Sequence, residues 1–245
     1  MATGVDLGTV RRILAGAVTP DSLDAACRVA ADTLGVAGLA VTVALPRTVR
    51  AVIGASTRDS RLLEEAQLTV AEGPCTVATV TGRPVRSGDL RDPTETRWPM
   101  LVRYLTDVPV RAVLALPLIP VATMRGARAL GSMDCSSPRP NGLDDVDVPA
   151  MGELAGLIAD AVPRLRTPHP SARDPVRGTW AQLHRATALV ESALGLSALD
   201  ALDALRGRAF ASGLLLNDLA ADVVSGRSGA DLTDPPATSA GAVAG

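Results

Sequence analysis

The chain has 245 residues, 47% of them apolar and 20% charged, with a formal net charge of −2. That length allows one large domain or two modest ones with real cores, and the near-zero charge excludes a global electrostatic attraction to nucleic acid or anionic membrane. Only 2% of the residues are aromatic (Trp98, Trp180, Tyr104 and Phe210), so the cores are built from Ala, Leu and Val, and aromatic stacking platforms for single-stranded nucleic acid are ruled against.

All 24 basic residues are arginine. The cysteines, Cys27, Cys75 and Cys135, are odd in number, far apart and without metal or disulfide spacing, which fits a reducing compartment. The first residues, Met1 to Gly8, lack a basic segment followed by an apolar run, so no secretory signal is expected. The most apolar stretch, Ala112 to Met124, is too short and too interrupted by proline to span a bilayer. A cytoplasmic protein with no membrane contact is the expectation.

In chain order, the first clear element is a helix in TPDSLDAACRVAADTLG, where Leu23, Ala26, Cys27, Ala30 and Leu34 recur at intervals of three and four before Gly35. Gly38 to Leu45 and Val49 to Ser56 alternate β-branched residues around a Pro-Arg turn, predicting an antiparallel pair. SRLLEEAQLTV and PCTVATVTG predict short helices, RPVRSGDL a strand and TRWPMLVRYLTD a helix. VRAVLALPLIP and ARALGSMDCSS predict a second hairpin. DVPAMGELAGLIADAVPRL places Leu154, Leu157, Ile158, Ala161 and Leu165 on one face and closes the first domain. TPHPSARDP then holds three prolines in nine residues and predicts a linker.

Beyond Arg177 only helical patterns occur. Trp180, Leu183, Thr187, Val190 and Leu194 fall at alternating spacings of three and four, the seam of a coiled coil. Ser197 with Asp200 predicts a capping box ahead of Ala198, Leu202, Leu205 and Ala209, with Gly213 as the stop. Leu216, Leu219, Ala220 and Val223 predict a third helix ending near Gly226. Small and polar residues fill the remainder, which is expected to be disordered. The fold class is α+β: an antiparallel sheet with flanking helices, then a three-helix module. Its expected divisions are residues 10–166, 167–175 (linker), 176–227 and 228–245 (tail).

Two stretches then resemble known families. AEGPCTVATVTGRPVRSGDL, TRWPMLV, VRAVLALPL and ALGSMDCSSP resemble the GAF domains of bacterial response regulators, through Gly73, Pro74, Cys75, Gly82, Pro84, Val85, Asp89, Leu90, Arg97, Trp98, Pro99, Pro117, Leu118, Leu130 and Gly131. LHRATALVESALGLSALDALDALRGRAFASGLLLNDLAADVV is similar to an ANTAR module, through Ala186, Gly195, Ala201, Leu205, Ala209, Leu216, Leu219, Ala220, Asp222, Val223 and Val224. It departs from that family where Thr187 and Ala188 replace a frequent Lys and Gly. The resemblance implies a signal-responsive regulator in which a sensor domain, with an unidentified small ligand or a partner, controls binding of an RNA hairpin in a leader transcript and favours transcription antitermination. A dimerising interaction protein that has lost RNA binding is the rival.

The candidate chemistry is sparse. The two histidines, His169 and His184, lie beyond the sensor-like region, so haem, bilin and zinc are unsupported there, no cofactor or metal is expected, and Cys75 has no base for catalysis. No catalytic residue and no enzyme activity are expected. Cys75 follows Gly-Pro at a helix start, where the helix dipole would lower its pKa and make it a redox or electrophile sensor; a small buried residue is the favoured alternative. Trp98, at another helix start, lines a ligand pocket or, the better reading, packs the domain edge. Arg185, Arg206 and Arg208 are the RNA-binding candidates, although residues 173–227 hold six arginines and six acids. Trp180, Leu183, Val190 and Leu194 are the seam of an expected homodimer.

Overall fold

Reciprocal caps on short polar side chains set the first helices. In the computed structural model, which describes residues 7–16, 18–44, 50–121, 128–165 and 175–227 (side chains of 175–181 apart), α2 spans Pro20–Leu34. Thr19 Oγ1 accepts from the Ser22 N–H at 3.2 Å and Ser22 Oγ from the Thr19 N–H at 2.8 Å, so two orphan donors are satisfied together. Pro20 occupies the first turn, where its missing N–H costs nothing, and Gly35 ends the helix at φ 66°. Thr57 and Ser60 repeat the device at the start of α3 (Arg58–Val70). The preceding α1 (Leu7–Ala15), which buries Val10 and Leu14, was not among the expected elements.

Five strands form one antiparallel sheet: β1 (Gly38–Ala44), β2 (Arg50–Ala55), β3 (Val85–Ser87), β4 (Ala112–Pro117) and β5 (Gly131–Ser137), in the order β2-β1-β5-β4-β3. Both hairpins expected from sequence are present, while the turn between β1 and β2 lies outside the described residues. The β1–β5 pairing that fuses the hairpins joins residues far apart in the chain, and no local pattern announces it. Gly131 permits it, because a Cβ there would lie 1.9 Å from the Thr42 carbonyl oxygen.

Strand periodicity divides the sheet into two unlike faces. Leu39, Val41 and Val43 of β1, Leu114 and Leu116 of β4, and Met133 and Cys135 of β5 join Leu14, Leu23, Leu154 and Ile158 in an apolar core under α1, α2 and α6 (Val148–Ala161). Each fully buried leucine there contributes roughly 1.5–3 kcal/mol. The opposite face carries Thr42, Ser132, Asp134 and Ser136, all buried under α3 and α4 (Pro74–Thr81). Beside it, α5 (Pro99–Tyr104) closes a second apolar cluster containing Leu63, Leu90, Trp98, Leu101 and Val113.

A second compact unit begins at Thr179. Its helices are α7 (Pro175–Leu194), α8 (Ala198–Ser212) and α9 (Leu216–Val224). Ser197 caps α8 by accepting from the Asp200 N–H at 3.2 Å, while its hydroxyl donates to Asp200 Oδ2 at 2.7 Å. This serine–aspartate pair stands where a capping box was expected. Gly213 ends α8 at φ 65°, α8 packs on α9, and Leu202, Leu205, Leu216 and Leu219 are buried. Linker residues 167–174 and tail residues 228–245 lie outside the described residues. Among the described residues no helix is long and apolar enough to cross a membrane.

Candidate functional site

On the polar face of the sheet, three elements bring ionisable groups together. Asp134 sits in central strand β5 and is flanked across the ladder by Ala40 of β1 and Ala115 of β4. These small neighbours leave space for helical side chains to reach the sheet. Glu64 and Gln67 of α3 are one turn apart and share a face, and Cys75 enters from the first turn of α4. Glu64, Gln67 and Cys75 are 0% exposed and Asp134 1%.

A hydrogen-bond network fixes the cluster. Thr42 Oγ1 donates to Glu64 Oε2 at 2.8 Å, and Gln67 Nε2 donates to Glu64 Oε1 at 3.0 Å and to Asp134 Oδ2 at 3.2 Å. The Gln67 carbonyl oxygen accepts from the Cys75 N–H at 2.8 Å, which also fixes the amide orientation. The glycine of the EGPC motif has its reason here. Gly73 adopts φ 130°, and a Cβ on it would lie 2.3 Å from Gln67 Oε1. The glutamate of the motif works elsewhere: Glu72 Oε1 accepts from the backbone N–H groups of Met100 and Leu101 and caps α5.

The electrostatics follow from burial. Desolvation, then the neighbouring Asp134 charge, holds the Glu64 carboxyl well above the usual carboxylate range. Desolvation pushes Asp134 up to about 6 against the opposing Gln67 hydrogen bond. The Cys75 thiol is likewise raised by burial and by Glu64 and Asp134, with Arg50 opposing. Burial and the two acids oppose the lowering that a helix dipole would give Cys75, and the thiol is fully buried. Burial thus works against charge on all three groups. Arg50, half-buried, is anchored by donating from Nη1 to Thr76 Oγ1 at 2.7 Å. Asp134 Oδ1 and Ser132 Oγ are buried without a hydrogen-bond partner.

The other expected site residues are scattered. Trp98, 5% exposed, packs with Leu63, Leu90 and Leu101 in the second apolar cluster, apart from Cys75, with the Arg97 guanidinium 5.2 Å from its ring centroid. Arg185 is exposed, whereas Arg206 pairs with Asp203 at 2.9 Å and Arg208 is half-buried. Leu183 and Val190 are 3% and 1% exposed, so half of the apolar seam expected to stay free is already covered within one chain. Leu194 is half-buried, and the Trp180 side chain lies outside the described residues. Glu64, Gln67, Asp134, Thr42 and Ser132 escaped sequence reasoning. The available signal was an aspartate between serines on alternate positions of a strand buried on both faces.

A GAF domain family model matches residues 19–162. The chain belongs to the GAF domain family. The GAF match contains the whole polar cluster and ends before α7. No curated protein matches the chain. Among solved structures, similarity extends to a free methionine-R-sulfoxide reductase from Neisseria meningitidis in complex with its substrate, 17% identical with a TM-score of 0.48 over 65% of this chain and 87% of that one. The GAF domain of an Acinetobacter phosphoenolpyruvate-protein phosphotransferase is 15% identical, with a TM-score of 0.46 over 64% and 92%. The A. aeolicus nlh2 GAF domain in an inactive state is 15% identical, with a TM-score of 0.45 over 64% and 93%.

Proposed function

We propose that this protein is a signal-responsive regulator in which the GAF domain controls RNA binding by the α7–α9 unit, an ANTAR-like output acting in transcription antitermination. The observation that carries this reading is the location of the resemblance. Of the residues through which the segment is similar to an ANTAR module, Ala186, Ala201, Leu205, Ala209, Leu216, Leu219, Ala220 and Val223 are buried, while Asp222 and Val224 are half-buried and Gly195 is exposed. Gly195 and Gly213 adopt φ 64° and 65° in the turns that follow α7 and α8. The pattern thus describes a three-helix scaffold, leaving the polar surface for recognition.

RNA contact would fall to Arg185, Arg206 and Arg208, positioning phosphates without specifying bases. The proposal needs no catalysis. Its site is the cytoplasm, where leader transcripts are made. The competing reading, a dimerising interaction protein without RNA binding, draws on the charge balance of the unit and on Leu189 and Leu199, which are 48% and 53% exposed. Selection from a library of randomised RNA hairpins by the full chain decides between them. Enrichment of a hairpin class supports the regulator. No enrichment at low salt, with a dimer in sedimentation, supports the rival.

A further inference from the structure

Glu64, Cys75 and Asp134 each offer a ligand atom, and these atoms all lie within 4.8 Å of one another inside the GAF domain. A cation at the centre of such a triangle stands at most about 2.8 Å from each donor, whereas zinc-type ions require roughly 2.0–2.3 Å for oxygen and sulfur. Inward shifts of about 0.5 Å for the sulfur and about 0.6–0.8 Å for each oxygen close the difference. Asp134 Oδ1 and Ser132 Oγ are buried in the same place without a hydrogen-bond partner, and Ser132 faces both Cys75 and Asp134. Buried polar atoms are ordinarily satisfied; Ser132 is near enough to Asp134 to lower its pKa through a hydrogen bond, but no bond of normal geometry joins them, so both oxygens are open to a ligand. We propose that this cluster is a binding site for a divalent first-row transition cation, with Cys75 Sγ, a Glu64 oxygen and Asp134 Oδ1 as its ligands.

The donor chemistry selects the class of ion. One soft thiolate with two hard carboxylates and no imidazole suits Fe²⁺, Co²⁺ or Zn²⁺ and disfavours Mg²⁺ and Ca²⁺, which take all-oxygen shells. The charges also match. Three deprotonated ligands around a doubly positive ion leave one net negative charge, which Arg50 offsets. Gln67, bonded to Glu64, Asp134 and the Cys75 backbone, orients all three ligands from the outer shell. The site is independent of what α7–α9 bind.

Cobalt titration of the chelator-treated, reduced full-length protein tests the assignment. We expect a single Co²⁺ per chain with a near-ultraviolet sulfur-to-cobalt charge-transfer band. Cys75→Ser abolishes that band, Cys27→Ser and Cys135→Ser retain it, and Glu64→Gln and Asp134→Asn each weaken binding at least tenfold with the far-ultraviolet circular dichroism unchanged. X-ray absorption of the wild-type cobalt complex, which requires no variant, shows one sulfur and oxygen neighbours. The proposal is overturned by the absence of a charge-transfer band, by a band that survives Cys75→Ser, by unaltered affinity in the carboxylate variants, or by an imidazole scattering pattern.

Discussion

Glu64 and Asp134, on a helix and a strand far apart in sequence, share one donor: Gln67 Nε2 reaches Glu64 Oε1 at 3.0 Å and Asp134 Oδ2 at 3.2 Å. Two carboxyls so close, and out of water, cannot both ionise without cost.

The consequence for stability has a definite sign. Asp134 titrates at about 6 in the folded chain and near 3.9 unfolded, so between those values the folded state binds more protons. Stability is greatest below the unfolded value and falls as pH rises through the folded one. Glu64, also raised, contributes with the same sign. Urea unfolding from pH 4.5 to 8 should show that fall, and Asp134→Asn or Glu64→Gln should flatten it. A wild-type curve that rises across this range would contradict the charge assignment.

Gly73 and Gly152 should respond oppositely to alanine. Gly73, at φ 130° against the Gln67 amide, should lose about 1–3 kcal/mol, with loss of the Gln67–Cys75 contact. Gly152 lies inside α6 with nothing within 4 Å of a built Cβ, so Gly152→Ala should stabilise by about 0.5–1 kcal/mol. Paired denaturant melts measure both.

Arg206 is held by Asp203, whereas Arg185 is exposed. Arg185→Ala should therefore reduce the slope of log affinity against log salt by about 0.9 for a hairpin stem. Asp203→Asn, which removes the ion pair to Arg206 and one negative charge from the unit, should tighten binding. Salt titrations of a selected hairpin against both variants provide the check.

Much of this fold could be read locally. The Thr19–Ser22 cap, Gly35 and the Leu23/Cys27/Ala30 spacing place α2 without any tertiary knowledge, and both hairpins declare themselves by alternation. The candidate site could not be read so. Glu64 and Gln67 look like solvated residues on the polar flank of a helix, Cys75 looks like filler, and Asp134 interrupts a strand. Only the β1–β5 pairing, with α3 and α4 laid across it, makes them neighbours; that pairing depends on a glycine, Gly131, and Ala40 and Ala115 beside Asp134 leave room for the helical side chains. Cys75 illustrates the limit: its place at a helix start was legible, but its two acidic neighbours, which oppose any lowering by the helix dipole, were not. In the second unit the helical spacing of Leu183 and Val190 was legible, and both are buried.

RNA affinity of the full-length chain tests the central claim most directly. Fluorescence anisotropy of a selected hairpin, measured from low to moderate salt, should show binding by the wild type with a slope of about −2 to −3, the release expected for two or three phosphates. The triple variant Arg185→Ala, Arg206→Ala and Arg208→Ala should lose binding while keeping its helical circular dichroism. No binding by the wild type at low salt, or equal binding by the triple variant, would contradict the account.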